Sequence, residues 1–310
     1  MIRSALAALA AALLLVPAAV ADDGEAEAAP FRAQVRIADT GRERIAWYER
    51  GSGRPLAMAI GTGSTMAEWD PALLRLLARD RRLILFDYPG IGRSSKLPGK
   101  TTSFAALADT TDRFLEAIGV EQSDVLGWSM GGFVAQQLAI RHPDRVRRMI
   151  LAGTNPGGDA AELGDEDDQD TDSDPDATEE QIIGVLYPRT KAGRREGRAF
   201  FDRLDSASES GEIPDDFDVP AATVRAQVAA EDPWLRSNAN GDALGRLAVP
   251  TLATGGAVDL VVPFSNLRWI AERVPGGQLE RFDDAHAFLF SERERFADVV
   301  GRFLDGPQSR

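Results

Sequence analysis

The stretch Ser123-Asp124-Val125-Leu126-Gly127-Trp128-Ser129-Met130-Gly131-Gly132-Phe133 constrains the fold more than any other part of the chain. An apolar run ends in Gly127, a serine stands at the turn, and small residues open a new segment. The pattern G-x-S-x-G, read between a strand and a helix, demands a sharp reversal with the serine hydroxyl at its apex. Glycine is required at 127 and 131 because a Cβ there would strike the opposite wall of the turn. Gln136 to Ile140 continue a helix that His142-Pro143 terminates. The free N–H groups at its start, beginning with Met130, favour negative charge beside the serine.

Elsewhere the chain alternates strand and helix signals. Gln34 to Asp39 and Arg44 to Tyr48 read as a hairpin about Thr40-Gly41. Buried-strand runs follow at Pro55 to Ile60, Arg82 to Phe86, Val146 to Ala152, Pro250 to Ala253 and Gln278 to Phe282. Helical spacing is read at Met66 to Ala78, from Phe104 to the Gly119 stop, at Pro263 to Arg273, and at Phe288 to Leu304. Near-continuous apolar strands separated by helices predict an α/β fold: a mostly parallel sheet of about eight strands covered by helices on both faces.

The alternation breaks between residues 154 and 244. This stretch opens with Asn155-Pro156-Gly157-Gly158 and offers irregular helical pieces around Ile182 to Leu186, Arg195 to Leu204 and Ala221 to Ala230. It is expected to be a helical cap inserted over the sheet's carboxyl edge, between core segments 34–153 and 245–310. Residues 159–180 hold twelve acids and no base, so the rest of the chain carries about −2 of the overall net charge of −14. The tract is expected to be a solvated, mobile loop. Its Asp168, Asp170, Asp172, Asp174, Asp176 and Glu179 match places of a calcium loop, but Ser173 stands where glycine is needed and Pro175 disrupts the backbone. No metal is expected. With the body nearly neutral and no basic stripe, nucleic acid is not an expected partner.

Residues 1–21 read as a secretory signal: Arg3, an apolar run from Ala5 to Val16, and the cleavage pattern Ala19-Val20-Ala21. The run is shorter than the ~20 residues of a membrane span, so no stable anchor is expected after cleavage. A flexible lead over 22–33 follows, and a secreted or periplasmic location is expected. The chain contains no cysteine, which excludes disulfides, thiolate metal sites and a cysteine nucleophile.

Together these features resemble the α/β-hydrolase superfamily, near its esterase and cofactor-free perhydrolase-type branches. Besides the turn at Ser129, the run Phe86-Asp87-Tyr88-Pro89-Gly90-Ile91-Gly92-Arg93-Ser94 resembles the family's D-x-x-G-x-G-x-S loop, and Gly255-Gly256-Ala257-Val258-Asp259 the turn that bears its acid. The resemblance covers roughly Val35 to Asn155 and Leu247 to Leu304. It implies a serine nucleophile at Ser129, activated by a histidine. Of the two histidines, His142 ends the helix after the turn, far from the serine, whereas His286 follows the last strand in Phe282-Asp283-Asp284-Ala285-His286. His286 is therefore the expected base.

Asp259 is the expected partner of His286, in the chain order Ser, Asp, His that this fold uses. Asp283 and Asp284 are rivals on tethers too short for easy alignment, and Asp87 reads as a turn carboxylate. The oxyanion donors are expected at the Met130 N–H and, by the resemblance, at Thr62, in Ile60-Gly61-Thr62-Gly63-Ser64. The family usually has His-Gly where this chain has Ile60-Gly61, which leaves the loop's supporting hydrogen bonds open. Trp128, Trp69, Trp234 and Phe288 are candidates for an apolar acyl pocket or for ordinary core.

No cofactor is expected. The implied reaction is cleavage of small or medium acyl esters through an acyl-enzyme, with a small-molecule acyl substrate as partner. Perhydrolysis or carbon–carbon hydrolysis by the same residues is the alternative. A non-catalytic ligand binder and an aminopeptidase are the more distant ones.

Overall fold

The computed structural model describes residues 31–306. The expected signal at 1–21, and residues 22–30 of the lead, lie outside them. The described elements belong to one unit that starts at Arg32.

The strands are β1 (Arg36–Asp39), β2 (Arg44–Arg50), β3 (Arg54–Ala59), β4 (Arg81–Phe86), β5 (Ser123–Trp128), β6 (Val146–Ala152), β7 (Thr251–Gly256) and β8 (Gln278–Phe282). They form one sheet in the order β1-β2-β4-β3-β5-β6-β7-β8. Only β2 runs against its neighbours, β1 and β4; the rest of the sheet is parallel. Every residue of β5 and β7 is buried, as central parallel strands require.

The helices are α1 (Pro71–Leu77), α2 (Phe104–Ala117), α3 (Met130–Arg141), α4 (Glu166–Asp172), α5 (Glu179–Leu186), α6 (Lys191–Glu209), α7 (Ala221–Leu235), α8 (Ala239–Leu244), α9 (Ser265–Arg273), α10 (Phe288–Ser291) and α11 (Arg293–Asp305). Strand order and right-handed crossovers assign their layers. From β3 the chain steps one way to β4 through α1. Every later crossover steps the other way, so α2, α3 and α9 cover the opposite face. The packing agrees: α2 lies on α3, α8 on both α3 and α9, and α1 on α11.

Two helices differ from the periodic reading. Met66 to Ala78 is a 3-10 turn (Met66–Glu68) followed by a fresh start at α1. The Asp70 carboxylate accepts from the Ala72 and Leu73 N–H groups, and Pro71 opens the helix. A cap and a proline at the first position reset the helix axis although the apolar spacing continues. Phe288 to Leu304 likewise divides at Glu292 into α10 and α11.

Between β6 and β7 the chain forms α4 to α8. Here the expectation of a loop over 159–180 is corrected for residues 166–172, although most acids of the tract are exposed. Residues 166–172 are wound into α4, with Asp165 capping the Asp167 N–H and three acids in the first turn, where the helix dipole favours them. Asp168, Asp170 and Asp172 of the calcium-loop match therefore sit on a helix. Asp168 is buried against Arg189, Gln169 donates to the Val261 carbonyl at 2.9 Å, and Gly164 packs against Leu260 closely enough to exclude any side chain. No helix among the described residues is long and apolar enough to cross a membrane.

Candidate active site

A parallel sheet delivers the ends of its strands to one edge, and four such ends meet here. The register aligns Ala59 with Gly127, Trp128 with Ala152, and Gly256 with Phe282. The loops after β3, β5, β7 and β8, carrying Thr62, Ser129, Asp259 and His286, thus share one end of the sheet.

Ser129 has φ +54° and ψ −125°, the only positive φ at a non-glycine position among the described residues. Such a conformation costs about 1–3 kcal/mol and persists only when its surroundings impose it. Its N–H donates to the Ala152 carbonyl at 2.9 Å, and its carbonyl accepts from the Gly132 N–H at 2.8 Å. A Cβ on Gly131 would lie 2.0 Å from the Ala59 oxygen, and one on Gly127 2.3 Å from the Gly131 oxygen. Gly131 thus presses against β3 and Gly127 against the first turn of α3, which is why both positions read as obligatory glycine.

His286 is 1% exposed, and its Nδ1 lies 2.8 Å from Asp259 Oδ2. Asp259 is fixed in turn, because its Oδ1 accepts from the Val261 and Val262 N–H groups at 2.9 and 2.8 Å. The Trp128 indole N–H donates to the His286 carbonyl at 3.2 Å, and the two rings lie 5.4 Å apart. Burial pushes the imidazole pKa down; the charge and hydrogen bond of Asp259, with a contribution from Asp172, outweigh it and hold the pKa above its ordinary value. His286 Nε2 makes no hydrogen bond among the described residues, to Ser129 or to any other group. Both residues line one cavity of about 310 Å³.

The remaining candidates take other places. His142 pairs with Asp109 (2.8 Å) and Asp112 (3.4 Å). Asp283 pairs with Arg281, Asp284 accepts from the Ala285 N–H, and Asp87 accepts from the Met66 N–H, each a local structural role. Thr62 lines the cavity beside Ser129, and a Cβ on its neighbour Gly61 would sit 3.3 Å from the Ser129 Cβ, so this loop lies against the turn. Met130 is the first residue of α3 and is fully buried.

Of the aromatic candidates only Trp128 lines the cavity. Trp69 is buried against Trp128 and Phe290. Trp234 packs on Phe104 and Phe133 and donates to Asn155, while Phe288 packs between Phe282 and Phe296. These three belong to the core. The apolar wall comes instead from Phe290 and from the inserted helices, through Ile182, Leu186, Phe200 and Val224.

Sequence reasoning missed the polar wall. Glu68, Asp172, Asp174 and Glu179 line the cavity, and no Lys or Arg does among the described residues. Asp172 also lines an adjoining space of about 140 Å³ with Ser129, Thr62 and Glu231. Burial pushes Glu231 up to about 7, with the Asp172 charge adding and the Thr62 side chain opposing. Burial raises Glu68 to about 7 as well, and shifts Asp172 upward. The clustering of acids at 159–180 was the available signal, but nothing in the sequence showed which of them turn inward.

Comparison with known proteins agrees with this architecture. The chain is 30% identical to a pimeloyl-[acyl-carrier protein] methyl ester esterase of Edwardsiella ictaluri, over 84% of this chain and 97% of that one. It is 28% identical to a 2-hydroxymuconate semialdehyde hydrolase of Pseudomonas sp. (strain CF600), over 86% and 94% respectively. A solved alpha/beta hydrolase fold protein from Chitinophaga pinensis superposes with a TM-score of 0.76 at 26% identity, covering 89% of this chain and 98% of that one. The family described as alpha/beta hydrolase fold matches residues 59–294, and with the eight-stranded sheet and its helices this chain belongs to that family.

Proposed function

We propose that this protein is a serine hydrolase that cleaves small or medium neutral acyl esters through an acyl-enzyme. One observation carries the reading: a buried Asp259–His286 pair opens onto the same cavity as a serine held in a strained turn at the start of a helix. In this reading Ser129 Oγ attacks the acyl carbonyl carbon while its proton passes to His286 Nε2. Asp259 holds the proton on Nδ1 and stabilises the imidazolium. The carbonyl oxygen becomes an alkoxide and is met by the Met130 and Thr62 N–H groups. Collapse expels the alcohol with the proton from His286. Water then attacks the acyl-enzyme and gives a proton to His286; collapse releases the acid as that proton passes to the departing Ser129 Oγ.

The relative named as a methyl ester esterase favours ester cleavage, and the carboxylate-lined cavity favours an uncharged acyl group. The relative named as a semialdehyde hydrolase supports the second reading, carbon–carbon cleavage by the same three side chains. Turnover of p-nitrophenyl acetate and butyrate that disappears in Ser129→Ala supports the assignment; turnover retained in that variant refutes it. Export belongs to the same proposal: the protein recovered outside the cytoplasm is expected to begin near Asp22, and a cytoplasmic product retaining residues 1–21 contradicts it.

A further inference from the structure

The loop carrying Thr62 has isoleucine where the family usually has histidine, so its support must come from elsewhere. The Gly63 N–H donates to Gln227 Oε1 at 2.9 Å. Gln227 is 1% exposed and lies on α7, in the insertion between β6 and β7. A Cβ on Gly63, whose φ is +65°, would sit 3.6 Å from a methyl of Val224, three residues before Gln227. Glu231, four residues after it, lines the small space it shares with Thr62 and Ser129. Positions 224, 227 and 231 fall on one helical face, and that face rests on the loop.

The helix is itself anchored on both sides of Gln227. Thr223 Oγ1 donates to the Gly90 carbonyl at 2.9 Å, and the Trp234 indole N–H donates to Asn155 Oδ1 at 2.9 Å. A fixed helix therefore presents a fixed acceptor to a loop that has glycine on each side of Thr62.

We propose that Gln227 is a positioning residue for the oxyanion hole: its side-chain carbonyl pins the Thr62–Gly63 peptide and thereby aims the Thr62 N–H at the site above Ser129. The proposal rests on the serine-hydrolase reading. Gly61 and Gly63 let the backbone approach Ser129 closely, but they also leave it free to swing. A donor displaced by about 1 Å loses on the order of 100-fold in rate, whereas substrate binding to the apolar wall is unaffected. The insertion then does more than wall the cavity, because α7 must be docked for the hole to be formed.

The test compares Gln227→Met, which keeps the shape and removes the acceptor, with Gln227→Glu, which keeps an acceptor oxygen in place. p-Nitrophenyl butyrate is the substrate, and the melting temperature is followed in parallel. Gln227→Met is expected to lower kcat about 10- to 100-fold with KM changed less than about twofold, and Gln227→Glu to recover kcat to within about threefold of the parent. Should Gln227→Met fail to fold, Gln227→Asn, which withdraws the amide by one methylene, is expected to give the same split. An unchanged kcat in the folded variant, a loss confined to KM, or an equal loss in the Glu variant overturns the proposal. Ser129→Ala is assayed alongside. If it alone abolishes turnover while Gln227→Met does not, the positioning role fails and the hydrolase reading stands. If Ser129→Ala retains turnover, the hydrolase reading itself fails.

Discussion

Asp259→Asn isolates the chemistry of the buried pair because the structure dictates which way the new amide must face. Oδ1 of Asp259 accepts two backbone N–H groups, at 2.9 and 2.8 Å. An amide NH2 placed there would meet two donors, so the amide oxygen takes that position. The NH2 is thereby turned toward His286 Nδ1, 2.8 Å away in the parent. It donates to Nδ1, the ring proton moves to Nε2, and the base faces Ser129 with an N–H in place of a lone pair. Restoring the working tautomer opposes two buried donors, at about 1–3 kcal/mol. The imidazolium also loses a facing charge, worth about 4 kcal/mol near 4 Å at an effective dielectric of ~20. Together these predict a fall in kcat/KM on the order of 10⁴- to 10⁵-fold. Because the amide oxygen keeps both backbone bonds, the melting temperature is expected to change little. The assay is kcat/KM for p-nitrophenyl butyrate from pH 6 to 9, with thermal melting as the control for folding. A folded variant that loses less than about tenfold refutes the role assigned to Asp259.

Two further outcomes follow from the carboxylates that line the cavity. Asp172 contributes to raising His286, and the base works only when neutral, so Asp172→Asn is expected to move the acid limb of the kcat/KM profile to lower pH; an unmoved limb, or one shifted upward, contradicts the electrostatic contact. A p-nitrophenyl monosuccinate ester, which ends in a carboxylate, is expected to react at least about tenfold more slowly than the butyrate ester, since one like charge ~6 Å away costs about 3 kcal/mol at the same dielectric. That gap should widen between pH 6 and 8, because Glu68 and Glu231 acquire charge around 7; equal rates for the two esters would show that the carboxylates do not face the acyl group.

The sheet and the edge that carries the candidate site were legible in the sequence because both are written locally. Strand runs such as Met149 to Ala152 are apolar throughout, and the tight contacts at Gly127 and Gly131 leave no other residue possible. The positions of Ser129, Asp259 and His286 just after β5, β7 and β8 then placed all three at one edge. The insertion was not legible in this way. Helix α4 has the sequence Glu-Asp-Asp-Gln-Asp-Thr-Asp, with no apolar spacing, and is held by distant partners such as the Val261 carbonyl and Arg189. Gln227 gives no signal either, since its partner is a backbone N–H more than 160 residues away in sequence. Aromatic identity alone did not separate wall from core: Trp128 lines the cavity, while Trp69, one ring contact behind it, does not.

Covalent capture of the nucleophile tests the central claim most directly. The intact protein is treated with a fluorophosphonate, and the modified residue is mapped by mass spectrometry. The account predicts a single adduct on Ser129, formed with loss of esterase activity and suppressed in Asp259→Asn. An adduct on another residue, or full inhibition with Ser129 unmodified, would contradict it.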